Sequence, residues 1–134
     1  LIEQRGRGLA KAKAVAETLD IRPRDPSATA RNLSGGNQQK VVLGRWLTRG
    51  AKLFILDEPT VGVDVGAKVE IYALVEKLAA DGAAVLVSSS DPGELVGLCD
   101  RIVVMLRGKI IAHVDTENLG VDHLVALTTG GQSA

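Results

Sequence analysis

Two short runs hold the residues best able to do chemistry: Leu33-Ser34-Gly35-Gly36-Asn37-Gln38-Gln39-Lys40 and Leu53-Phe54-Ile55-Leu56-Asp57-Glu58-Pro59-Thr60. In the first, a serine suited to cap a helix precedes two glycines, which let the backbone approach an anion with no Cβ in the way. Its chemistry would be the binding of a phosphate through backbone N–H groups. In the second, an apolar run ends in adjacent carboxylates, a place to handle a magnesium ion and an attacking water. No G-x-x-x-x-G-K-[ST] phosphate loop occurs anywhere in the sequence. The chain therefore reads as one half of a nucleotide site.

The elements that must position these runs follow an α/β pattern. Leu9, Ala12, Val15, Ala16 and Leu19 mark one helical face, and Pro23 and Pro26 break into a loop. After the Ser-Gly-Gly run, Val42, Leu43, Trp46 and Leu47 recur at helical spacing until Gly50, which places Trp46 on a core face. Leu53 to Leu56 is a continuous apolar run, as expected of a strand buried on both faces, and Ala84 to Val87 is a second. Ile71, Leu74, Val75 and Leu78 line the helix between them, ending near Gly82. Asp91 to Leu98 predicts a short helix, Arg107-Gly108 a hairpin turn, and Leu119 to Leu127 a last helix before a disordered tail. Strand–helix–strand alternation implies parallel strands with crossover helices, and ligands gather at the carboxyl ends of such strands. Asp57 and Glu58 fall at one such end, Ser88 to Ser90 at the next.

Composition excludes several classes. Sixteen basic and sixteen acidic residues cancel, so no basic field argues for nucleic acid or anionic lipid. Trp46, Tyr72 and Phe54 are the whole aromatic set, too few for base-stacking platforms. No apolar run approaches the ~20 residues that span a bilayer. One cysteine, Cys99, excludes an internal disulfide and fits a reducing compartment. The sequence opens without a methionine, inside an arginine-rich helical stretch, and is expected to be part of a longer protein.

Leu33 to Lys40 resembles the signature loop of ABC-transporter ATPases, Leu53 to Glu58 their Walker B strand, and Val61-Gly62-Val63-Asp64 their D-loop. The resemblance runs on through Asp100 to Met105. Asn37 in place of the usual glutamine, Gly62 to Lys68, and Ser88-Ser89-Ser90-Asp91-Pro92 where many relatives have a histidine are similar to the second nucleotide-binding domain of bacterial sugar importers of ribose, xylose and galactose type. The fold implied is part of a RecA-like P-loop NTPase domain, a mainly parallel sheet with a C-terminal β-hairpin. Residues 1–32 would be a remnant of the helical subdomain, 33–129 the C-terminal half of the ATPase core and 130–134 a tail.

The resemblance implies roles residue by residue. Ser34, Gly35, Gly36, Asn37 and Gln38 would reach across a head-to-tail dimer to the γ-phosphate of an ATP held by the partner domain. Asp57 would hold Mg2+ through water, and Glu58 would be the catalytic glutamate acting on the attacking water. Asp64 would contact the opposite site, while a carboxylate cap on the next helix explains it equally well. Val61 departs from the polar residue common in that loop. Ser90 stands at the position of the switch histidine, and a serine is shorter and carries no positive charge.

Plainer readings stand beside these. Asp-Glu-Pro can simply end a strand at the surface, and a serine after a leucine is a frequent helix start. Two successive glycines are costly in that role, because each gives up conformational entropy without adding packing. His113 and His123 lack partners at readable spacing, Cys99 reads as a small buried hydrophobe, and Arg5, Arg7, Lys11 and Lys13 as a solvated helix face.

The function implied is an ATPase coupling ATP binding and hydrolysis to import of a small solute, a sugar, at the cytoplasmic face of the membrane. Its partners would be a second ATPase domain, a transmembrane permease subunit and, indirectly, a periplasmic or extracellular sugar-binding protein. Without the phosphate loop this chain alone is expected to be inactive and, with unpaired strand edges, to self-associate. One alternative is a regulatory half-site that only completes its partner's. Another is a DNA-repair or chromosome-maintenance ATPase, against which stands the lack of sustained heptads in Leu1 to Asn32.

Overall fold

In the computed structural model, residues 2–129 are described, with side chains from residue 8 onward. The predicted tail over 130–134 lies outside them. The described residues form two compact units, divided so that the stretch up to 54 goes with 59–86 and the stretch 55–58 with that from 87 onward.

In the first unit, α1 (Ile2–Thr18) leads through a proline-broken loop and a 3-10 turn at Ala30–Asn32 to α2 (Gly35–Leu47). Ser34 caps α2, and Gly50, at φ 67°, closes the turn after it. A Cβ at Gly44 would lie 2.5 Å from Val15 Cγ1, so the glycine lets α2 lie close on α1. α3 (Val65–Ala80) buries Ile71, Leu74, Val75 and Leu78, the four residues its periodicity marks. With Ala16, Leu19, Ile21, Leu43 and Phe54 they are the apolar core of this unit.

β1 (Leu53–Asp57) and β2 (Ala84–Ser88) pair as a two-stranded sheet. The Ala84 N–H donates to the Lys52 carbonyl and the Glu58 N–H to the Ser88 carbonyl, both at 2.8 Å, the ends of a parallel ladder. Burial on both faces does not hold: Phe54 is buried, whereas Leu53 and Ile55 are 58% and 68% exposed and Leu86 59%. A continuous apolar run records that both faces of a strand suit burial, and only one is covered here.

Trp46 is a second departure. It is 50% exposed, with the Arg49 guanidinium 5.5 Å from its ring centroid. Leu43 takes the buried stripe of α2 together with Gly36, Lys40 and Gly44, which turns Trp46 outward.

In the second unit, α4 (Pro92–Leu98) starts at Asp91, whose carboxylate accepts from the N–H groups of Gly93 and Glu94. β3 (Arg101–Leu106) and β4 (Lys109–Asp115) form an antiparallel hairpin with a register shift at Val104/Met105. Its turn residues Arg107 and Gly108 both take positive φ, 49° and 77°. α5 (Val121–Thr128) starts two residues later than its apolar pattern suggests, after Gly120. Ile102, Val104, Leu119 and Leu124 are the core, with Leu95, Val96, Cys99 and Ala112 against it. Burial, then the nearby Asp100 and Glu94 charges, push the Cys99 thiol up, as befits a packing residue.

Candidate nucleotide site

The site residues fall into two groupings, one in each unit. In the first unit the loop before α2 is built around Ser34. Its backbone is extended (φ −60°, ψ 157°), and its Oγ accepts from the Asn37 N–H at 3.4 Å and from Asn37 Nδ2 at 2.8 Å. Asn37 Oδ1 in turn accepts from the Arg22 N–H at 2.8 Å. Gln38 turns back, its Nε2 donating to the Leu33 carbonyl at 2.8 Å. Gly35 and Gly36 open the helix, where backbone N–H groups have no carbonyl one turn earlier to bond.

The glycines also have a packing use that sequence reasoning missed. A Cβ at Gly36 would lie 2.5 Å from Ala67 Cβ, and one at Gly35 would lie 3.2 Å from the Gly62 carbonyl oxygen. The loop therefore rests on the turn after β1 and the first turn of α3. Gly62 takes φ 73° there, and Asp64 caps α3, its Oδ1 accepting from the Ala67 N–H at 2.9 Å. Val61 is 65% exposed.

Lys40 is the other residue missed. It is buried, and its Nζ donates to Glu70 Oε2 at 2.6 Å and to the Asp20 carbonyl at 3.3 Å, tying α2 to α3 and to the end of α1. It shares a helix face with Gly36, Leu43 and Gly44, at i−4, i+3 and i+4, a stripe that apolar periodicity does not mark. Beside it the Asp20 carboxylate accepts from Arg24 and Arg22, both at 2.8 Å, and those bonds hold its pKa down to about 2.

In the second unit the grouping lies at the carboxyl ends of β1 and β2. Asp57 ends β1 exposed, its charge solvated. Glu58 turns away from the strand direction at φ 48°, a left-handed conformation that non-glycine residues seldom take. Its carboxylate accepts from the Ser90 hydroxyl at 3.2 Å. The turn carrying Ser90 is held from beneath. Ser89 Oγ donates to the buried Glu94 carboxylate and accepts from the Asp91 N–H at 3.0 Å. His113 and His123 are exposed, as are Lys11 and Lys13 of the basic run.

These donors and acceptors suit a nucleotide. An exposed hydroxyl beside helix-start N–H groups matches a phosphate oxygen. Asp57 offers a single carboxylate, and among the described residues no set of three His, Cys, Asp or Glu side chains could hold a metal.

Residues 4–61 match the family described as ABC transporter. The chain is 53% identical over 118 residues to the ribose import ATP-binding protein RbsA of Pseudomonas putida, covering 88% of this chain and 23% of that protein. It is 43% identical over 134 residues to ribose import ATP-binding protein RbsA 1 of Rubrobacter xylanophilus, covering all of this chain and 27% of that one. Among solved structures, the ADP conformation of MJ1267, an ATP-binding cassette of an ABC transporter, superposes with a TM-score of 0.72 at 28% identity over 90% of this chain and 45% of that one. A nucleotide-free ATP-binding cassette gives 0.75 at 28% identity, over 90% of this chain and 46% of its own. The chain thus spans about a quarter of the length of the curated relatives it matches.

Proposed function

We propose that this chain, which belongs to the ABC-transporter ATP-binding family, works within the ATPase of a sugar importer, where it supplies parts of two ATP sites. The loop from Ser34 to Gln38 completes a site built on the phosphate loop of a partner ATPase domain. Asp57 and Glu58 serve the site of its own domain, with Asp57 toward Mg2+ through water and Glu58 toward the attacking water. ATP binding and hydrolysis are coupled to uptake of a small solute by a permease subunit, with the ATPase on the cytoplasmic face of the membrane. Residues 1–32 belong to the helical subdomain that faces the permease and 33–129 to the ATPase core.

One observation carries this reading: Ser34 is an exposed cap whose loop is braced from behind, by Gly36 on Ala67 and by Asn37 on the Arg22 backbone. A plain helix start needs no such bracing. Ribose import is named for the relatives, and their identity of 43–53% over most of this chain supports a sugar as the solute.

The test is Ser34→Arg in the intact ATP-binding protein. ATPase activity should fall by ~100-fold or more, the scale of losing a preorganised oxyanion contact. ATP binding to the partner's phosphate loop should survive. Unchanged turnover would reduce the loop to a helix cap.

The contact between Ser90 and Glu58 favours a second reading within the first, in which the two ATP sites are unequal. With a neutral hydroxyl at the position that resembles the family's switch histidine, the domain's own site mainly holds nucleotide, and the site completed by Ser34 does most of the hydrolysis.

A further inference from the structure

Three hydrogen bonds around Ser34 leave little freedom in who donates to whom. The Arg22 N–H can only donate, so the Asn37 side-chain atom facing it at 2.8 Å is the carbonyl Oδ1. That fixes the orientation of the amide and turns Nδ2 toward Ser34 Oγ, also at 2.8 Å. An amide NH2 only donates, so Ser34 Oγ must accept. The Asn37 backbone N–H, at 3.4 Å, approaches the same oxygen. A hydroxyl oxygen has two lone pairs and one proton. Both lone pairs face Asn37, and the proton is left for a group outside the loop.

We propose that Asn37 is a positioning residue: it makes the exposed Ser34 hydroxyl an outward-only donor, suited to a terminal phosphate oxygen, and anchors that donor to the Arg22 backbone. The inference rests on the function proposed above and adds a mechanism for selecting an acceptor. A serine free to rotate could offer either a lone pair or its proton. Here a water's proton or a neutral donor finds no lone pair, while an anionic oxygen finds a donor already aimed and the helix-start N–H groups of Gly35 and Gly36 beside it. Asn37 also makes the serine answer to the loop after α1. Movement of Arg22 would pull on Oδ1 and so change the aim of Nδ2 and of the hydroxyl.

The decisive variant is Asn37→Asp. It keeps the shape and the acceptor for the Arg22 N–H, so the protein should fold, which thermal unfolding checks. A carboxylate cannot donate, so the Ser34 hydroxyl turns inward and donates to it. In the intact ATP-binding protein, Ser34→Ala, Asn37→Asp and the double variant are compared for turnover and, separately, for ATP affinity. Ser34→Ala should lower turnover ~10-fold or more, as for a lost donor to a charged oxygen. If it does not, the loop never meets nucleotide, and the parent reading fails together with this one. Asn37→Asp should lower turnover by ~10- to 100-fold with ATP affinity little changed, and should cost less than ~3-fold in the Ser34→Ala background. Equal losses in both backgrounds would mean that the new charge merely repels phosphate, and unchanged turnover that Ser34 needs no aiming. Either result overturns the proposal while leaving the signature-loop reading intact.

Discussion

The Ser90 hydroxyl donates to the Glu58 carboxylate across 3.2 Å, joining the carboxyl ends of two neighbouring parallel strands. Both partners are fixed from elsewhere. Glu58 is held at φ 48° with its N–H on the Ser88 carbonyl, and the Ser90 turn is braced by Ser89 on the buried Glu94. The contact occupies a lone pair that a general base would offer to water, and it brings no positive charge to a developing phosphoryl dianion. An imidazole would act differently, because it can carry a proton and reach farther.

Unequal ATP sites should follow. In the intact protein Glu58→Gln should leave most steady-state hydrolysis in place, while the same change at the partner domain's equivalent glutamate should remove nearly all of it. Steady-state turnover of the two variants checks this. A loss of ~100-fold from Glu58→Gln alone, the size expected for a general base, would show that Ser90 is no handicap.

Gly36 should matter to stability before it matters to nucleotide. A methyl group placed 2.5 Å from Ala67 Cβ forces α2 and α3 apart, so Gly36→Ala should cost about 1–3 kcal/mol in unfolding free energy, the range for overpacking. The measurement is denaturant unfolding without ATP. Ala67→Gly should recover part of the loss when combined with it, because it removes the opposing atom. An unaltered unfolding midpoint in Gly36→Ala would mean that the α2–α3 approach is looser than the glycine implies.

The sequence makes the local features legible and leaves the tertiary ones out. Ile71, Leu74, Val75 and Leu78 follow a 3.6-residue period, and Arg107-Gly108 is a turn by its own chemistry, so both could be read directly. Ser34 and Asp64 could be read as caps because a cap is decided within three residues. Asn37 to Arg22 and Lys40 to Glu70 span 15 and 30 positions, and no periodicity reports such pairs. Trp46 fits the helix period yet lies outward, because the stripe that is buried is defined by Gly36, Lys40, Leu43 and Gly44. Glycines and a lysine do not register as a core face until the neighbouring helices are in place.

The Asp20 cluster gives a pH signature. Hydrogen bonds from Arg24 and then Arg22 lower this carboxylate to about 2, from an ordinary value of 3.8. A folded-state pKa below the unfolded one stabilises the fold above the unfolded value, and the contribution is lost as pH falls through the folded value. The window therefore lies between about 4 and about 2. Because the group is exposed, salt should weaken the effect. Carboxyl titration followed by NMR should find Asp20 depressed, and Arg24→Ala should move its midpoint up toward 3.8. An unshifted midpoint in the parent chain would mean that these bonds do not persist in solution.

The open sheet face should make this 134-residue chain associate with itself. Leu53 and Ile55 on β1 and Leu86 on β2 stand 58%, 68% and 59% exposed. Such residues each gain ~1.5–3 kcal/mol on full burial, and a parallel pair with one bare apolar face invites a second copy to cover it. The outer edges of the two strands, which no other described strand pairs, add hydrogen-bonding groups for the same encounter. Light scattering across a concentration series should show dimers or larger species. Ile55→Lys should shift the population toward monomer, and since the side chain is exposed it should change unfolding free energy by no more than ~0.5 kcal/mol. A monodisperse monomer at high concentration would count against association altogether. Association untouched by Ile55→Lys would move the contact away from this face, leaving the strand edges to carry it.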